Sequence, residues 1–216
     1  MESRLDLDAA LLKAQVKARL LGWPGEPVQL GRFAIERCLG RGGVGAVYAA
    51  RDGSSGARVA LKRLHAGAWA AAALRREFRS VSRIVHPNLV ALHELFCVHD
   101  QWFLTMELVE GTPLIAHLRA QGNALPDGAG EGVLRDSFAQ LLAGVAGIHD
   151  AGKIHRDLKP SNVLVAAGGR SVILDYGLVI DQGVALSPAS CSGAMYEGVP
   201  AALVSSSDTP WSITRP

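Results

Sequence analysis

Cysteine, charge bias and long apolar runs are all scarce in this chain, and each scarcity closes off a class of protein. The three cysteines, Cys38, Cys97 and Cys191, are widely spaced and odd in number. That argues against a disulfide framework or a zinc site and suits a reducing compartment. Lys and Arg total 22 against 20 Asp and Glu, a formal net charge of +2. With no basic run and no aromatic-interleaved patch, nucleic acid is not expected as a partner. No apolar segment approaches the ~20 residues that cross a bilayer. The N-terminus carries acids where a signal peptide carries bases, so the expected location is cytoplasmic. A chain of 216 residues can bury a sizeable core as one large domain or two small ones.

What is present is concentrated in His155-Arg156-Asp157-Leu158-Lys159-Pro160-Ser161-Asn162, followed by an apolar run and Asp175-Tyr176-Gly177. This sets an acid, a cation and an amide within a few residues, then a second acid beyond a short hairpin. Phosphoryl transfer needs such a set. A carboxylate orients the acceptor hydroxyl and takes its proton, which suits Asp157. An ammonium balances charge on the migrating group, which suits Lys159. Two oxygen ligands hold Mg²⁺ against the ATP phosphates, which suits Asn162 and Asp175. Any one of these residues alone is more simply a solvated turn residue; the ordered set at this spacing is not.

These residues resemble the H-R-D-x-K-x-x-N and, with Tyr176 for Phe, the D-F-G of the eukaryotic-type (Hanks-type) protein kinases. Lys159-Pro160-Ser161-Asn162 is similar to the serine/threonine branch, and a bacterial member is expected. The resemblance implies an α+β, bilobal fold with a β-rich upper lobe and a helical lower lobe. It implies ATP and Mg²⁺ as cofactors, and protein substrates bearing Ser or Thr.

Taken in order, residues 3–21 read as an amphipathic helix with Leu5, Ala9, Leu12, Val16 and Leu20 on one stripe. That stripe is expected to dock on the following domain; a partner helix is the other possibility. Residues 1–32 form this helix and a linker. From Phe33 short strands begin. Gly40-x-Gly42-x-x-Gly45 also describes the dinucleotide turn of hydride-transfer enzymes, but that turn must open a helix. Here Ala46-Val47-Tyr48 and the turn Arg51–Gly56 follow, so a β-hairpin flap over phosphates is the better reading. By resemblance Leu39, Gly40, Arg41, Gly42, Gly43, Val44, Gly45 and Ala46 make that flap. Val59-Ala60-Leu61-Lys62 resembles the V-A-I-K strand, whose lysine contacts the α- and β-phosphates.

Leu74, Phe78, Val81 and Val85 recur at helical spacing over residues 72–85. Glu77, on that helix, matches the glutamate that pairs with the strand lysine in the family; a surface charge beside Arg75 or Arg76 is the rival reading. Met106 falls at the gatekeeper position, and Glu107-Leu108-Val109 resembles the adenine-binding hinge. Val47, Ala60 and Leu164 would sandwich the base. The expected domains are an upper lobe over 33–110 and a lower lobe beginning over 111–185. In the latter, Leu134, Phe138, Leu141, Leu142, Val145, Ile148 and His149 trace one apolar helical face. His155 is expected to be structural, packing on Tyr176. Residues 186–216 are expected to be a divergent, irregular tail.

The resemblance runs from Phe33 to about Gly177. The helices that follow in the family are not evident, so a truncated lower lobe with exposed apolar surface is expected. An impaired or inactive nucleotide-binding or interaction module is therefore the alternative to an active enzyme.

Overall fold

The computed structural model describes residues 7–21, 27–42, 45–64, 71–124, 129–175 and 195–198. The alternating apolar stretches become strands β1 (Val28–Leu30), β2 (Phe33–Gly42), β3 (Gly45–Asp52), β4 (Arg58–Leu64), β5 (Leu92–Val98) and β6 (Gln101–Glu107). With β10 (Met195–Gly198) they form one antiparallel seven-stranded sheet ordered β1-β2-β3-β4-β6-β5-β10. The β6 strand, lying between β4 and β5, is buried over its first six residues. Its period-two alternation splits them between two cores. Trp102, Leu104 and Met106 join one cluster with Leu74, Phe78 and Val81, continuous with the lower lobe through Leu141, Ile148, Val163, Val172 and Ile173. Phe103 points to a second cluster, where it stacks on Phe96 at 5.6 Å and Phe96 on Phe33 at 5.2 Å.

Helix α1 (Leu7–Leu21) caps the second cluster, but not by the expected stripe. Leu7 and Leu11 are buried against the residues of β1 and β2, whereas Leu12, Val16 and Leu20 face outward. A leucine-rich helix offers more than one apolar stripe, and the shape of the sheet beside Leu30, Phe33 and Ile35 selects between them. Leu5 lies outside the described residues. Helix α2 (Ala71–Val81) buries Leu74, Phe78 and Val81 as expected. It ends there, so Val85 leaves the periodic face and is exposed.

Below the sheet come β7 (Gly111–Pro113), α3 (Leu114–Ala124), α4 (Ala129–Asp150), β8 (Val163–Ala166) and β9 (Ser171–Ile173). The three strands pair in the order β7-β8-β9. The expected α4 face is only half used. Leu141 and Ile148 are buried, while Leu134, His149, Phe138 (52% exposed) and Leu142 (67% exposed) are not. Apolar surface is thus open on this helix, as expected from the sequence. Asn88 joins the upper sheet to this layer: its Nδ2 donates to Gln140 Oε1 at 2.9 Å and to the Ser171 carbonyl at 2.8 Å. The Ile173 N–H donates in turn to the Asn88 carbonyl at 2.8 Å.

Two expectations need correction. Residues 195–198 are not irregular; they pair antiparallel with β5, Met195 opposite Cys97. Cys97 is disulfide-bonded, while Cys38 is free. A long-range strand pairing at a sheet edge leaves no trace in the count or spacing of cysteines.

Candidate active site

The β2–β3 hairpin carries the glycine flap, with Gly42 opposite Gly45, which excludes the dinucleotide turn. Gly45 is demanded by the protein itself. Its φ is +141°, and a Cβ there would lie 1.9 Å from the Arg63 carbonyl oxygen. At Gly40 and Gly42 a Cβ would meet nothing within 4 Å. Among the described residues no packing constraint requires glycine at those two positions, and the open space fits the close approach of a phosphate to backbone. Gly43 and Val44 lie outside the described residues; Leu39, Arg41, Ala46 and Val47 sit on the two strands.

Strand β4 delivers Ala60 and Lys62. Ala60 is opposite Met106 of β6, and both are buried. Lys62 is 8% exposed, and its Nζ lies 2.7 Å from Asp175 Oδ1. A buried ammonium is costly unless paired, so β4 and the end of β9 are bound to one site. Glu77 is elsewhere. Its Oε1 accepts from Lys153 Nζ at 3.1 Å, so the expected Glu77–Lys62 pair is not the one formed. Spacing placed Glu77 on the right face of α2 but could not say which of two lysines that face would meet.

The lower half is built by local geometry. Helix α4 closes with Gly152 at φ 68° and the Lys153 N–H donating to the Ile148 carbonyl at 3.0 Å. His155 is buried, with Nε2 3.1 Å from the Leu174 carbonyl and Nδ1 accepting from the Asp157 N–H at 3.3 Å. These contacts place the ring proton on Nε2. The expected partner, Tyr176, lies outside the described residues. Arg156 and Asp175 take left-handed backbone, φ 63° and 54°. Such strain concentrates at functional sites, and an aspartate tolerates it better than an arginine.

Lys159 Nζ then donates to Asp157 Oδ2 at 2.7 Å. A 3-10 turn over Pro160–Asn162 brings Asn162 Nδ2 to the Asp157 carbonyl at 2.9 Å and to Oδ2 at 3.2 Å. The Lys159 hydrogen bond, against a smaller opposing desolvation and helped by Asn162, holds the Asp157 carboxyl below the usual carboxylate range. The Leu174 N–H donates to the Asn162 carbonyl at 2.7 Å, which sets Asp175 beside the turn.

At the hinge, the Glu107 N–H donates to the Ala91 carbonyl at 2.8 Å and its carboxylate accepts from Arg170. The side chain therefore clamps the hinge to the β8–β9 hairpin. Val109 and Leu164 are partly buried, and Val109 packs against the main core. Lys153, Asn88 and Arg170 were not singled out from the sequence. The only signal for Lys153 was its place between the end of α4 and the His155 loop. A separate cavity of about 730 Å³ lies between α3, α4 and residues 165–169, and none of the residues expected to bind nucleotide lines it.

Comparison with known proteins points to one family. The family model for the protein kinase domain matches residues 33–193. Among curated relatives, CBL-interacting protein kinase 20 of Oryza sativa subsp. japonica is 40% identical over 164 residues, covering 70% of this chain and 34% of that protein. Serine/threonine-protein kinase pkn2 of Myxococcus xanthus is 40% identical over 162 residues, covering 72% of this chain and 19% of that protein. CBL-interacting protein kinase 19 of the same rice is 38% identical over 172 residues, covering 76% and 33% respectively. The chain thus spans about a third or less of these relatives. With the family match over most of its length and both Lys159 and Asn162 hydrogen-bonded to Asp157, this chain belongs to the protein kinase family, among its serine/threonine members.

Proposed function

We propose that this chain transfers the γ-phosphoryl group of ATP to serine or threonine hydroxyls of proteins. The observation that carries the reading is the convergence of Lys159 and Asn162 on Asp157, with Lys62 on Asp175. Asp157, ionised and exposed, is free to accept the proton of an acceptor hydroxyl and to orient its oxygen. Lys159, already within 2.7 Å of that carboxylate, places a positive charge where the migrating group passes. Lys62 moves from Asp175 to the α- and β-phosphates when nucleotide enters, while Gly40, Gly42 and Gly45 close over them. Ala60, Met106, Val47 and Leu164 offer apolar contact to the base, with Val109 at the hinge.

The donor set fits Mg²⁺. Asn162 spends its Nδ2 on Asp157, which leaves the amide oxygen, and Asp175 has a second carboxylate oxygen beside the one on Lys62. Hard oxygens from one carboxylate and one amide, completed by phosphates and water, are what this ion takes. Among the described residues no cluster of three or more His, Cys, Asp or Glu offers a metal site of another kind. Bound there, the ion would offset the charge of the phosphates.

A second reading, a nucleotide-binding module without turnover, is favoured by Glu77 standing on Lys153 instead of Lys62. Labelled-phosphate transfer from ATP to a generic basic protein, run beside ATP·Mg²⁺ binding, separates the two. Transfer by the wild type that is lost in Asp157→Asn with binding kept supports the enzyme. Binding without transfer in the wild type leaves the module. No membrane role is proposed; among the described residues no helix is long and apolar enough to cross a bilayer.

A further inference from the structure

On α4, Val133, Asp136, Ser137 and Gln140 recur at helical spacing, and on α3 His117 and Gln121 stand one turn apart. These two stripes, with Thr112 of β7 and the end of β8, enclose the cavity of about 730 Å³. Its inner wall is already built. Gln140 donates through Nε2 to the Gly169 carbonyl at 3.0 Å, and its Oε1 accepts from the Ser171 N–H at 2.8 Å and from Asn88 Nδ2 at 2.9 Å. Both ends of that amide are spent. The other polar side chains of the lining are not: among the described residues Thr112, His117, Gln121, Asp136 and Ser137 enter no hydrogen bond or ion pair. For Thr112 and Asp136, which are exposed, water suffices. Ser137 is only 4% exposed, and a hydroxyl so buried is costly to leave without a partner. It lines the cavity, so its partner must come from there.

We propose that this cavity, apart from the nucleotide cleft, binds a small organic amine that carries hydroxyl groups. Charge sets the first half of that class. The lining holds one carboxylate, Asp136, and no Lys or Arg, so an ammonium is favoured and a phosphate or carboxylate ligand meets no counter-charge. The neutral groups set the second half. A neutral His117 ring offers one donor and one acceptor, the Gln121 amide offers both kinds, and the Thr112 and Ser137 hydroxyls serve either way. A ligand hydroxyl also gives and takes, so it satisfies any of the four. The apolar remainder, with Val133 and Val165, suits the carbon face of a ring. The volume lies within the range of sites for ligands of drug size. Binding here is independent of the nucleotide reading, since Lys62, Asp157, Asn162 and Asp175 do not line the cavity.

The probe is glucosamine, set beside glucose, which lacks its charge, and glucuronate, which reverses it. The full chain, isotope-labelled at glycine nitrogen, is titrated with each sugar. The amide resonances of Gly111, Gly168 and Gly169 on the cavity wall are followed against those of Gly40 and Gly42 in the flap. Glucosamine should move the wall amides, leave the flap amides in place and bind about threefold tighter than glucose, as an exposed ion pair allows. Glucuronate should bind more weakly than glucose. Asp136→Asn should bring glucosamine and glucose to equal affinity. Wall amides that stay still under glucosamine would mean a cavity holding water only, which overturns the proposal. So would equal movement in the flap, no preference over glucose in the wild type, or a preference that survives in Asp136→Asn.

A second variant tests the buried hydroxyl. Ser137→Ala removes it from a helix that alanine favours. With the hydroxyl unspent in the free chain, melting temperature should not fall. Glucosamine should bind about fivefold more weakly, because the ligand loses one hydrogen-bond partner. A fall of several degrees without ligand would show that the hydroxyl already has a partner inside the chain. Unchanged affinity would show that the ligand does not meet it. Either result overturns the assignment of Ser137 to this site.

Discussion

Asp157, Lys159 and Asn162 meet within 3.2 Å of one another, whereas Lys62 and Glu77, which the family pairs, each hold a different partner. The first three lie within a single turn of chain, so backbone geometry alone brings them together. Pro160 fixes one φ angle, the 3-10 turn reverses the chain, and the Asn162 side chain finds the Asp157 carbonyl. The last two stand on separate elements, and their meeting depends on where α2 lies against the sheet. A half-site made by local geometry needs only its near neighbours; a half-site made by packing depends on how distant elements sit against one another.

The largest way to break this comparison is at Asp157. Asp157→Asn should lower phosphoryl transfer at least ~100-fold, the usual contribution of positioned proton transfer, and leave ATP·Mg²⁺ binding nearly intact. Equal loss of binding would show that the lower half is not the acceptor side. Lys62→Ala should come next. It removes the charge that meets the phosphates and frees Asp175, so most of the rise in melting temperature with ATP·Mg²⁺ should vanish. A rise equal to that of the wild type would disprove a phosphate contact at Lys62.

The comparison is sharpened by disturbing the scaffold while leaving the site alone. Asn88→Ala takes the Asn88 donor from the buried Ser171 carbonyl, while Gln140 Oε1 keeps the Ser171 N–H, which should cost about 1–3 kcal/mol of stability in denaturant unfolding. A loss of a few tenths would mean that water replaces the amide. The smallest effect is one of pH. Lys159 holds Asp157 below the ordinary carboxylate range, so the charged form persists as pH falls toward that depressed value and is lost only below it. Lys159→Met should therefore move the acidic limb of the rate profile upward, toward the ordinary carboxylate value. An unmoved limb would mean that the limb reports another group.

The local part of the site was legible because its logic is short-range. Asp157 to Asn162 is a run in which each side chain needs only its near neighbours, and the β8–β9 hairpin that follows is announced by apolar runs on either side of Gly168 and Gly169. The hairpin under the glycine flap was equally plain, since the turn at Arg51–Gly56 forbids a helix there. By itself, then, the sequence determined the local course of the His155–Asn162 loop, the hairpin under the flap and the succession of strands along the chain.

Which leucines of α1 are buried, where α2 stops, which lysine Glu77 meets and what pairs with the edge of β5 were decided by tertiary structure alone. Periodicity tells a helix that it has an apolar side, but several sides of α1 satisfy it, and only the sheet beneath favours Leu7 and Leu11 over Leu12 and Val16. Charge tells Glu77 that it wants a cation, and Lys62 and Lys153 serve equally until packing sets their distances. Where two solutions satisfy the same local rule, the choice between them is made by contacts between residues far apart in the chain.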